Sequence, residues 1–171
     1  MFQESRDGKT EMSYFSIMNI LELNPRFDLQ NDPKSAAAFS QFSEMLKAVK
    51  EKELNSTVVT ALNEGIQSIN NTVLTGKYLT RLIKTKQQGI LKLLEKEQKI
   101  VPKKHYQTLW MVLGMSSFGL PLGAAFGLAL GNIGLMGLGL PIGMGIGLAV
   151  GTNMDKKALA EGRQLAFEAK M

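Results

Sequence analysis

The chain has 171 residues, with 20 Lys and Arg against 15 Asp and Glu, and it contains no cysteine. This length allows one modest domain or a smaller domain with a membrane module, and the lack of cysteine excludes disulfides, cysteine metal ligands and thiol nucleophiles. The mean hydropathy is close to zero only because a charged first part offsets a long uncharged stretch, which favours the second arrangement.

Residues 1–30 are predicted to be an N-terminal segment with one short helix. The first residues lack the apolar core of a cleavable secretion signal, so none is expected. Apolar side chains between Glu11 and Leu23 recur at helical spacing, and Asn24-Pro25 would end the helix. We expect this helix to pack against the chain's own helices; docking on a partner protein is the alternative.

Residues 31–104 are predicted to be a cytoplasmic helical region. Asp32 and Pro33 form a strong helix start, since Asp caps free backbone N–H groups and Pro fits the first turn. Apolar residues three and four apart then predict a helix to about Leu54.

A second cap is predicted at Asn55-Ser56, after which the apolar spacing resumes and includes Val73. Gly76 and Gly89 leave open whether this stretch is one helix or two. We expect an antiparallel helical pair or a small bundle. A coiled-coil contact with another copy is the alternative, because about a hundred residues make only a modest core.

Charge is distributed unevenly along the chain. Residues 1–76 carry a net charge of −3, whereas residues 77–104 carry +7. Basic side chains beside a membrane attract anionic headgroups, so an anionic bilayer is an expected partner, although a solvated face that only fixes topology explains the charges equally well. No base-reading motif accompanies them, so no nucleic acid is expected. The predicted headgroup contacts are Lys92, Lys96, Lys99, Lys103, Lys104, Tyr106, Trp110, Lys156 and Lys157.

Residues 105–154 are predicted to form a transmembrane hairpin, because they include no Lys, Arg, Asp or Glu. Leu109–Gly131 and Gly134–Thr152 would be the spans, about 34 Å and about 28 Å long as helices, against a hydrocarbon core of about 30 Å. Asn132-Ile133-Gly134 would form the turn. Each span is only marginally apolar alone, so we expect the two to insert as a pair.

Glycine recurs at every fourth position in both halves of this hairpin. In lipid, helices associate by close van der Waals contact, which glycine permits because it has no side chain. We therefore predict a doubled glycine zipper that packs the two helices together. Its residues are Gly119, Gly123, Gly127, Gly131, Gly139, Gly143, Gly147 and Gly151.

A second set of small residues lies on about the opposite face of each helix. If one face closes the hairpin, the other is free to meet a second molecule, so we expect a homo-oligomer. These residues are Ala125, Ala129, Gly145 and Ala149.

Pro121 and Pro141 hold matching places in the two repeats. Inside a helix each would remove a hydrogen bond and produce a kink, which a neighbouring helix can cover in lipid. We favour kinks over the alternative that each proline begins a helix, because a helix from Pro121 to Gly131 is too short to span.

Residues 155–171 are predicted to form a C-terminal helix, either cytoplasmic or on the membrane surface. Asp155 is the expected cap of a helix from Lys156 to Glu168. Basic residues flank both outer ends of the hairpin and none flanks the turn, so the positive-inside tendency places both termini in the cytoplasm.

Residues 119–165 resemble the uncharacterised glycine-zipper membrane proteins of bacteria. In these a paired GxxxG hairpin is followed by segments like Asp155-Lys156-Lys157-Ala158 and Glu161-Gly162-Arg163-Gln164-Leu165. The resemblance implies an integral protein of the bacterial inner membrane whose hairpin packs tightly and can oligomerise. It carries no known activity to transfer.

Catalytic chemistry is not indicated. His105 is the single histidine, we expect it at the headgroup level, and no local motif offers it partners for a metal site or a catalytic dyad. No catalytic, cofactor-binding or metal-binding residues, and no cofactor, are therefore predicted. The expected function is a non-enzymatic membrane-anchored scaffold or assembly subunit whose cytoplasmic helices bind a protein partner or each other. The alternative is a membrane-permeabilising or channel-like oligomer, such as a toxin or defence effector.

Overall fold

The structure is a computed structural model that describes residues 19–169. Within this range the chain is all-helical and has no β-strand, which confirms the predicted class at that level. Its five helices are α1 (Pro33–Lys50), α2 (Ser56–Asn70), α3 (Gly76–Gln98), α4 (His105–Ala129) and α5 (Ile133–Ala160). They belong to two compact units, a three-helix unit of residues 19–99 and a hairpin unit of residues 100–169. The division falls a few residues before the predicted boundary at Lys104.

Helix α1 begins as the sequence predicts. Pro33 is its first residue, and the Asp32 carboxylate accepts hydrogen bonds from the backbone N–H groups of Lys34 and Ser35. The Ser35 hydroxyl also donates to Asp32, and this bond above all holds the pKa of the Asp32 carboxyl below its usual value. Local capping chemistry therefore fixes the start of α1.

Helix α1 ends at Lys50, so its predicted extension to Leu54 is wrong. The Gln98 side-chain amide donates to the carbonyl oxygen of Glu53 and accepts from the N–H of Asn55. These bonds use backbone groups that a continued helix would need. The connection between α1 and α2 is therefore not helical. Helix α2 starts at the predicted Asn55 cap, whose side chain accepts a hydrogen bond from the N–H of Val58.

The stretch after Asn55 forms two helices rather than one. Gly76 has a φ of 58° at the start of α3, a conformation that residues with a side chain rarely take. Gly89 lies inside α3 without interrupting it. Val73, which the spacing places on the apolar stripe, lies in the connection and is 92% exposed.

The core of the three-helix unit forms where α3 packs against both α1 and α2. Gly65 of α2 permits a close approach, since a Cβ there would lie 3.1 Å from the Cδ1 atom of Ile90 in α3. All three helices contribute fully buried side chains, so this unit has an apolar core of its own. The largest are Phe42, Met45, Leu62, Ile66, Ile69, Leu79, Ile83 and Leu94.

The N-terminal segment differs from its prediction. Residues 11–18 of the predicted helix lie outside the described range, and residues 19–23 are not helical, so that part of the prediction is wrong. Instead, side chains of Asn63 and Asn70 bond the backbone N–H and carbonyl groups of this segment and hold it along α2. These residues thus lie against the chain's own α2, but through hydrogen bonds to their backbone and not as a packed helix.

Both helices of the hairpin unit are long and apolar enough to span a membrane. Helix α4 is α-helical over His105–Gly114, has a π turn at Met115–Gly119, and is α-helical again over Leu120–Ala129. Helix α5 starts as a 3-10 helix at Ile133–Leu138 and is α-helical over Gly139–Ala160. Each helix extends beyond its predicted span at the end that carries charged residues.

The turn between α4 and α5 lies close to its predicted place. Gly131 has a φ of 62° just after α4, and the Asn132 side chain accepts from the N–H of Gly134 at the start of α5. Gly131 therefore ends a helix, and a Cβ on it would have no neighbour within 4 Å. It takes no part in the contact between α4 and α5, contrary to its predicted place in the zipper.

Both prolines lie in the first turn of an α-helical stretch, Pro121 after the π turn and Pro141 after the 3-10 turn. Pro141 therefore lies near a helix start, where the first N–H groups have no partner to lose. For Pro121 the alternative of a helix start does not hold, because the π turn continues the helical path before it and α4 runs from His105 to Ala129. The favoured kink stays a prediction.

The predicted C-terminal helix from Lys156 to Glu168 is helical only as far as Ala160, and the rest of that prediction is wrong. Helix α5 runs without a break through Asp155 to Ala160. Gly162 follows with a φ of 68°, which ends the helix and turns the chain.

The tail after Gly162 pairs in parallel with the segment before α4. Val101 donates to the Arg163 carbonyl oxygen at 3.0 Å and accepts from the Leu165 N–H at 2.9 Å. Leu165 and Phe167 are buried, being only 1% and 3% exposed. The tail is thus held by alternate buried side chains as well as by backbone bonds.

Candidate functional site

The two helices of the hairpin touch through their backbones. A Cβ added to Gly147 would lie 2.7 Å from the carbonyl carbon of Trp110, and one added to Gly151 would lie 2.5 Å from the Tyr106 carbonyl oxygen. Atoms at these distances overlap, so a side chain there would force the helices apart. The predicted glycines that face the backbone of the opposite helix in this way are Gly123, Gly139, Gly143, Gly147 and Gly151. Gly119 also faces that backbone but is less crowded, since a Cβ on it would lie 3.1 Å from the Gly139 carbonyl oxygen.

Two further glycines complete the contact region. A Cβ on Gly127 would meet the Met136 side chain, 2.5 Å from its Cγ atom; this side chain is flexible and can move. Gly114, which the sequence analysis did not single out, faces α5 and is buried, and a Cβ on it would lie 3.0 Å from the Cα of Gly147. The zipper on α4 therefore begins at Gly114 and ends at Gly127.

The π turn explains how Gly114 joins the stripe on α4. Gly114 and Gly119 are five residues apart, whereas the other neighbouring glycines of the stripe are four apart. A π turn follows an i→i+5 pattern, so five residues take the place of four and both glycines face α5. The Ser116 hydroxyl, 3.0 Å from the Val112 carbonyl oxygen, adds a hydrogen bond where the helix changes its pattern.

Large apolar side chains cover the outside of the hairpin. In the most apolar stretch of each helix, only 22% of the residues of α4 and 17% of those of α5 are buried. The buried positions are mainly glycines. A water-soluble protein places its large apolar side chains in the core, and an extended apolar surface marks contact with lipid or protein. Outward-facing residues include Leu109, Val112, Leu120, Leu128, Ile133, Ile142, Ile146 and Leu148.

The second set of small residues is exposed on the hairpin. Ala125, Ala129, Gly145 and Ala149 are all exposed, and a Cβ on Gly145 would have no neighbour within 4 Å. These positions play no part in closing the hairpin. Their use in an oligomer stays a prediction.

Asp155 caps a helix other than the one predicted. It lies inside α5, is 9% exposed, and its two carboxylate oxygens accept hydrogen bonds from the N–H groups of Tyr106 at 3.1 Å and Gln107 at 2.9 Å. Lys104, just before α4, offers that helix no side-chain cap. Asp155 therefore satisfies free N–H groups at the start of α4 and places a negative charge where the helix dipole favours it.

The residues predicted to contact headgroups are divided between the two units. All of the lysines are exposed, and Tyr106 and Trp110 are half-buried near the start of α4. Lys104 is paired with Glu168 at 2.9 Å, and the Lys157 ammonium lies 3.9 Å from Glu161. The three-helix unit holds Lys92, Lys96 and Lys99, and the hairpin unit holds Lys103, Lys104, Tyr106, Trp110, Lys156 and Lys157.

An open basic cleft of about 350 Å³ lies at the starts of α1 and α3. Asp32 is its single carboxylate, and that group is engaged in capping α1. Four cations against one carboxylate give the cleft a net positive charge, which suits an anionic ligand. Its other lining residues are Lys34, Lys77, Thr80, Arg81, Lys84, Thr85 and Gln88.

Two asparagines of α2 hold the backbone of residues 19–24. The Asn63 amide donates to the Asn19 carbonyl oxygen at 3.0 Å and accepts from the Leu21 N–H at 2.9 Å. Asn70 makes the same pair of bonds three residues further along the segment, both at 2.9 Å. We call these two side chains the asparagine clamps.

Arg26 fixes the chain just beyond the clamps. Its guanidinium donates to the carbonyl oxygens of Ile69, Thr72 and Leu74 at 3.2 to 3.4 Å. It also pairs with Asp28 at 2.7 Å, and this hydrogen-bonded pair raises the pKa of Arg26 and lowers that of Asp28.

No group of three or more His, Cys, Asp or Glu side chains within residues 19–169 is placed to hold a metal ion. His105 packs edge-on against Tyr106, with ring centroids 5.1 Å apart.

Three residues of these sites, and the true partner of a fourth, were missed from the sequence. A signal for the partner of Asp155 was present, since the residues before α4 lack a side chain suited to capping and Asp155 is the first acid beyond the uncharged stretch. Gly114 is signalled only by its distance of five from Gly119, which the four-residue repeat hides. Nothing local marks Asn63 and Asn70, because their partners lie more than forty residues earlier.

Replacing Gly147 by Ala should destabilise the hairpin, whereas the same change at Gly145 should not. The new methyl group meets the Trp110 backbone at position 147 and open space at position 145. Forced overpacking costs about 1–3 kcal/mol, so unfolding of the full-length protein in micelles should begin at lower denaturant for Gly147→Ala alone. Equal midpoints for the two variants would contradict the backbone contact. Gly127→Leu should be milder than Gly147→Leu, because Met136 can move.

Replacing Asp155 by Asn should weaken the start of α4. The amide keeps the size of the side chain but loses the charge and one acceptor, which costs about 1–3 kcal/mol for a buried charged hydrogen bond. Amide hydrogen exchange at Tyr106 and Gln107 should accelerate, while Lys156→Gln, an exposed neighbouring change, leaves it unaltered. Unchanged protection in Asp155→Asn would show that the cap contributes nothing.

Comparison with known proteins identifies no relative of this chain. No family model, curated protein or solved structure matches the chain significantly. The resemblance to bacterial glycine-zipper proteins thus stays a prediction, and the residues described above are the basis for a function.

Proposed function

We propose that the chain is a non-enzymatic membrane-anchored scaffold. The hairpin spans the bilayer as a unit and holds the three-helix unit at the cytoplasmic surface, where it binds a protein partner or other copies. The observation that supports this most is the inverted arrangement of the hairpin, with glycine inside and large apolar side chains outside. In lipid, those outward side chains each contribute about 0.3–0.6 kcal/mol to insertion.

The distribution of charge along the hairpin supports a two-span orientation. Because α4 and α5 are antiparallel, the start of α4 and the end of α5 lie together, as the bond from Tyr106 to Asp155 requires. Lys104 and Glu168 pair at this same end. The opposite end, at Asn132, carries no charged residue. A hairpin of this kind inserts with its uncharged turn leading and keeps its charged end in the cytoplasm.

The type of membrane, the contact with headgroups and the assembly of copies are each inferred from a separate observation. A bacterial inner membrane follows from the glycine-zipper resemblance, and contact with anionic headgroups follows from the exposed lysines of both units. Assembly into a homo-oligomer follows from the exposed small residues, which let a second hairpin approach closely.

A membrane-permeabilising oligomer, the alternative function, has less support. A selective pore needs oriented polar groups along its wall. Among the few polar side chains of α4, the Ser116 hydroxyl lies within hydrogen-bond distance of the carbonyl oxygens of Val112 and Leu113 in its own helix. Its one donor is thus used within its own helix, and only its oxygen lone pairs are left to face a channel.

Labelling of single cysteines should place the turn of the hairpin and the three-helix unit on opposite sides of the membrane. The chain has no native cysteine, so Ile133→Cys at the turn and Gln88→Cys on α3 each introduce one exposed thiol. In intact bacterial spheroplasts an impermeant maleimide should label Ile133→Cys, and should label Gln88→Cys only after lysis. Labelling of both from one side would refute the two-span anchor.

Ion leakage from liposomes that contain the full-length protein distinguishes a membrane anchor from a membrane-permeabilising oligomer. Vesicles that contain the full-length chain should retain their ions. Leakage that disappears in Gly147→Leu would instead assign the assembly to the permeabilising class.

Bulky residues on the exposed small face should abolish the oligomer and spare the hairpin. In Ala125→Leu/Gly145→Leu the new side chains point away from the contact between α4 and α5, so unfolding in micelles should match the wild type. Chemical cross-linking in native membranes should then shift from oligomer to monomer. Ile146→Leu, an exposed conservative change on the same helix, is the matched control. An oligomer of unchanged size would exclude this face.

A further inference from the structure

Residues 19–24 contact α2 mainly through their backbone. Each asparagine clamp binds the carbonyl oxygen of one residue and the N–H of the second residue after it, so it brackets the residue between them. The bracketed residues are Ile20 and Leu23, which are half-buried, while their neighbours are exposed. The clamps therefore recognise the backbone of the segment. The side chains that the site partly covers are two apolar ones, three residues apart.

The spacing of the clamps requires an extended ligand. Asn63 and Asn70 are seven residues apart, which in a helix is about 10.5 Å. The segment covers this rise in three residues, or about 3.5 Å per residue, which is the limit of a fully extended chain. Two turns of α2 thus match three residues of an extended peptide, and no helical ligand would meet both clamps.

The clamped segment is held differently from the extended tail at the other end of the chain. The tail buries Leu165 and Phe167 almost completely. In contrast, residues 19–24 include no buried side chain, and the four clamp bonds are exposed to solvent. Segments with few buried apolar contacts and exposed hydrogen bonds open at low free energy. The segment is therefore exchangeable, whereas the tail is structural.

We propose that the asparagine clamps form a binding site for an extended peptide of a partner protein, which residues 19–24 occupy in cis until it displaces them. The ligand has apolar residues at positions i and i+3, and neither is followed directly by proline, because the next residue must donate its N–H to a clamp. The chain's own segment fits this rule, since Ile20 and Leu23 precede Leu21 and Asn24, and Pro25 comes one residue later.

Arg26 makes the segment a tethered competitor. Its bonds to the carbonyl oxygens of Ile69, near the end of α2, and of Thr72 and Leu74, in the connection that follows, involve neither clamp. They can therefore persist when residues 19–24 are released. The segment then stays close to the site and rebinds when the peptide leaves. The peptide would belong to the protein partner of the proposed scaffold, and this role rests on the proposed function. Peptide binding itself does not require membrane insertion.

The test uses the full-length chain with its own segment disabled. Leu21→Pro/Asn24→Pro removes both N–H donors to the clamps and leaves α2 unaltered. Fluorescence anisotropy with a labelled peptide of residues 19–26 should show at least about tenfold tighter binding to this variant than to the wild type, where the segment competes. Adding Asn63→Ala/Asn70→Ala should abolish binding, while Asn71→Ala, an adjacent exposed asparagine with no bond to the segment, should not.

Altered peptides test the recognition rule. Changes at the positions of Asn19 and Glu22 to other non-proline residues should leave binding within about twofold, because only their carbonyl oxygens are used. Peptides with Ala for Ile20 and Leu23 should bind more weakly, and peptides with Pro for Leu21 and Asn24 should not bind.

Two results would overturn the proposal. One is the lack of binding to the double-proline variant while circular dichroism shows intact helices. The other is binding that persists without Asn63 and Asn70. Either result would leave the cysteine-labelling test of the anchor unaffected, and failure of that test would leave peptide binding unaffected.

Discussion

The close approach of two glycine backbones is the constraint on which the hairpin depends. Because Gly143 and Gly147 present no side chain to α4, the helices are near enough for dispersion contacts along their full common length. The large apolar side chains must then point outward, which gives the hairpin an extended apolar surface. Internal packing and the character of the surface are thus linked in this unit, since the same small residues that close the hairpin leave its exterior apolar.

The three-helix unit follows the opposite rule, with large side chains inside and polar groups at the surface. Its connections are held by side-chain amides: Gln98 binds the connection before α2, and Asn63 and Asn70 bind the N-terminal segment. Amides are suited to this because one group both donates and accepts. The unit therefore orders extended chain without burying it. A segment held by its backbone can be released without disturbing the core.

The sequence predicted features whose partners are near in the chain. The Asp32 and Asn55 caps are correct because each binds N–H groups within its own first turn, and the glycine repeat is evident because its period matches a helix. Asp155 was assigned to the wrong helix because its partners lie nearly fifty residues earlier. The extended course of residues 19–24 was missed for the same reason: their apolar spacing of three suits a helix equally well, and only Asn63 and Asn70 decide between the two.

The π turn in α4 has a consequence for alignment of the two helices. A glycine stripe with a uniform four-residue repeat is degenerate, since sliding one helix by four residues brings glycine opposite glycine again. Helix α5 is uniform from Gly139 to Gly151, but α4 has one interval of five, between Gly114 and Gly119. The π turn makes this interval equivalent to four residues along the stripe, so the interval alone does not remove the degeneracy. The bonds from Tyr106 and Gln107 to Asp155 form in one alignment only, and they give the repetitive interface a single register.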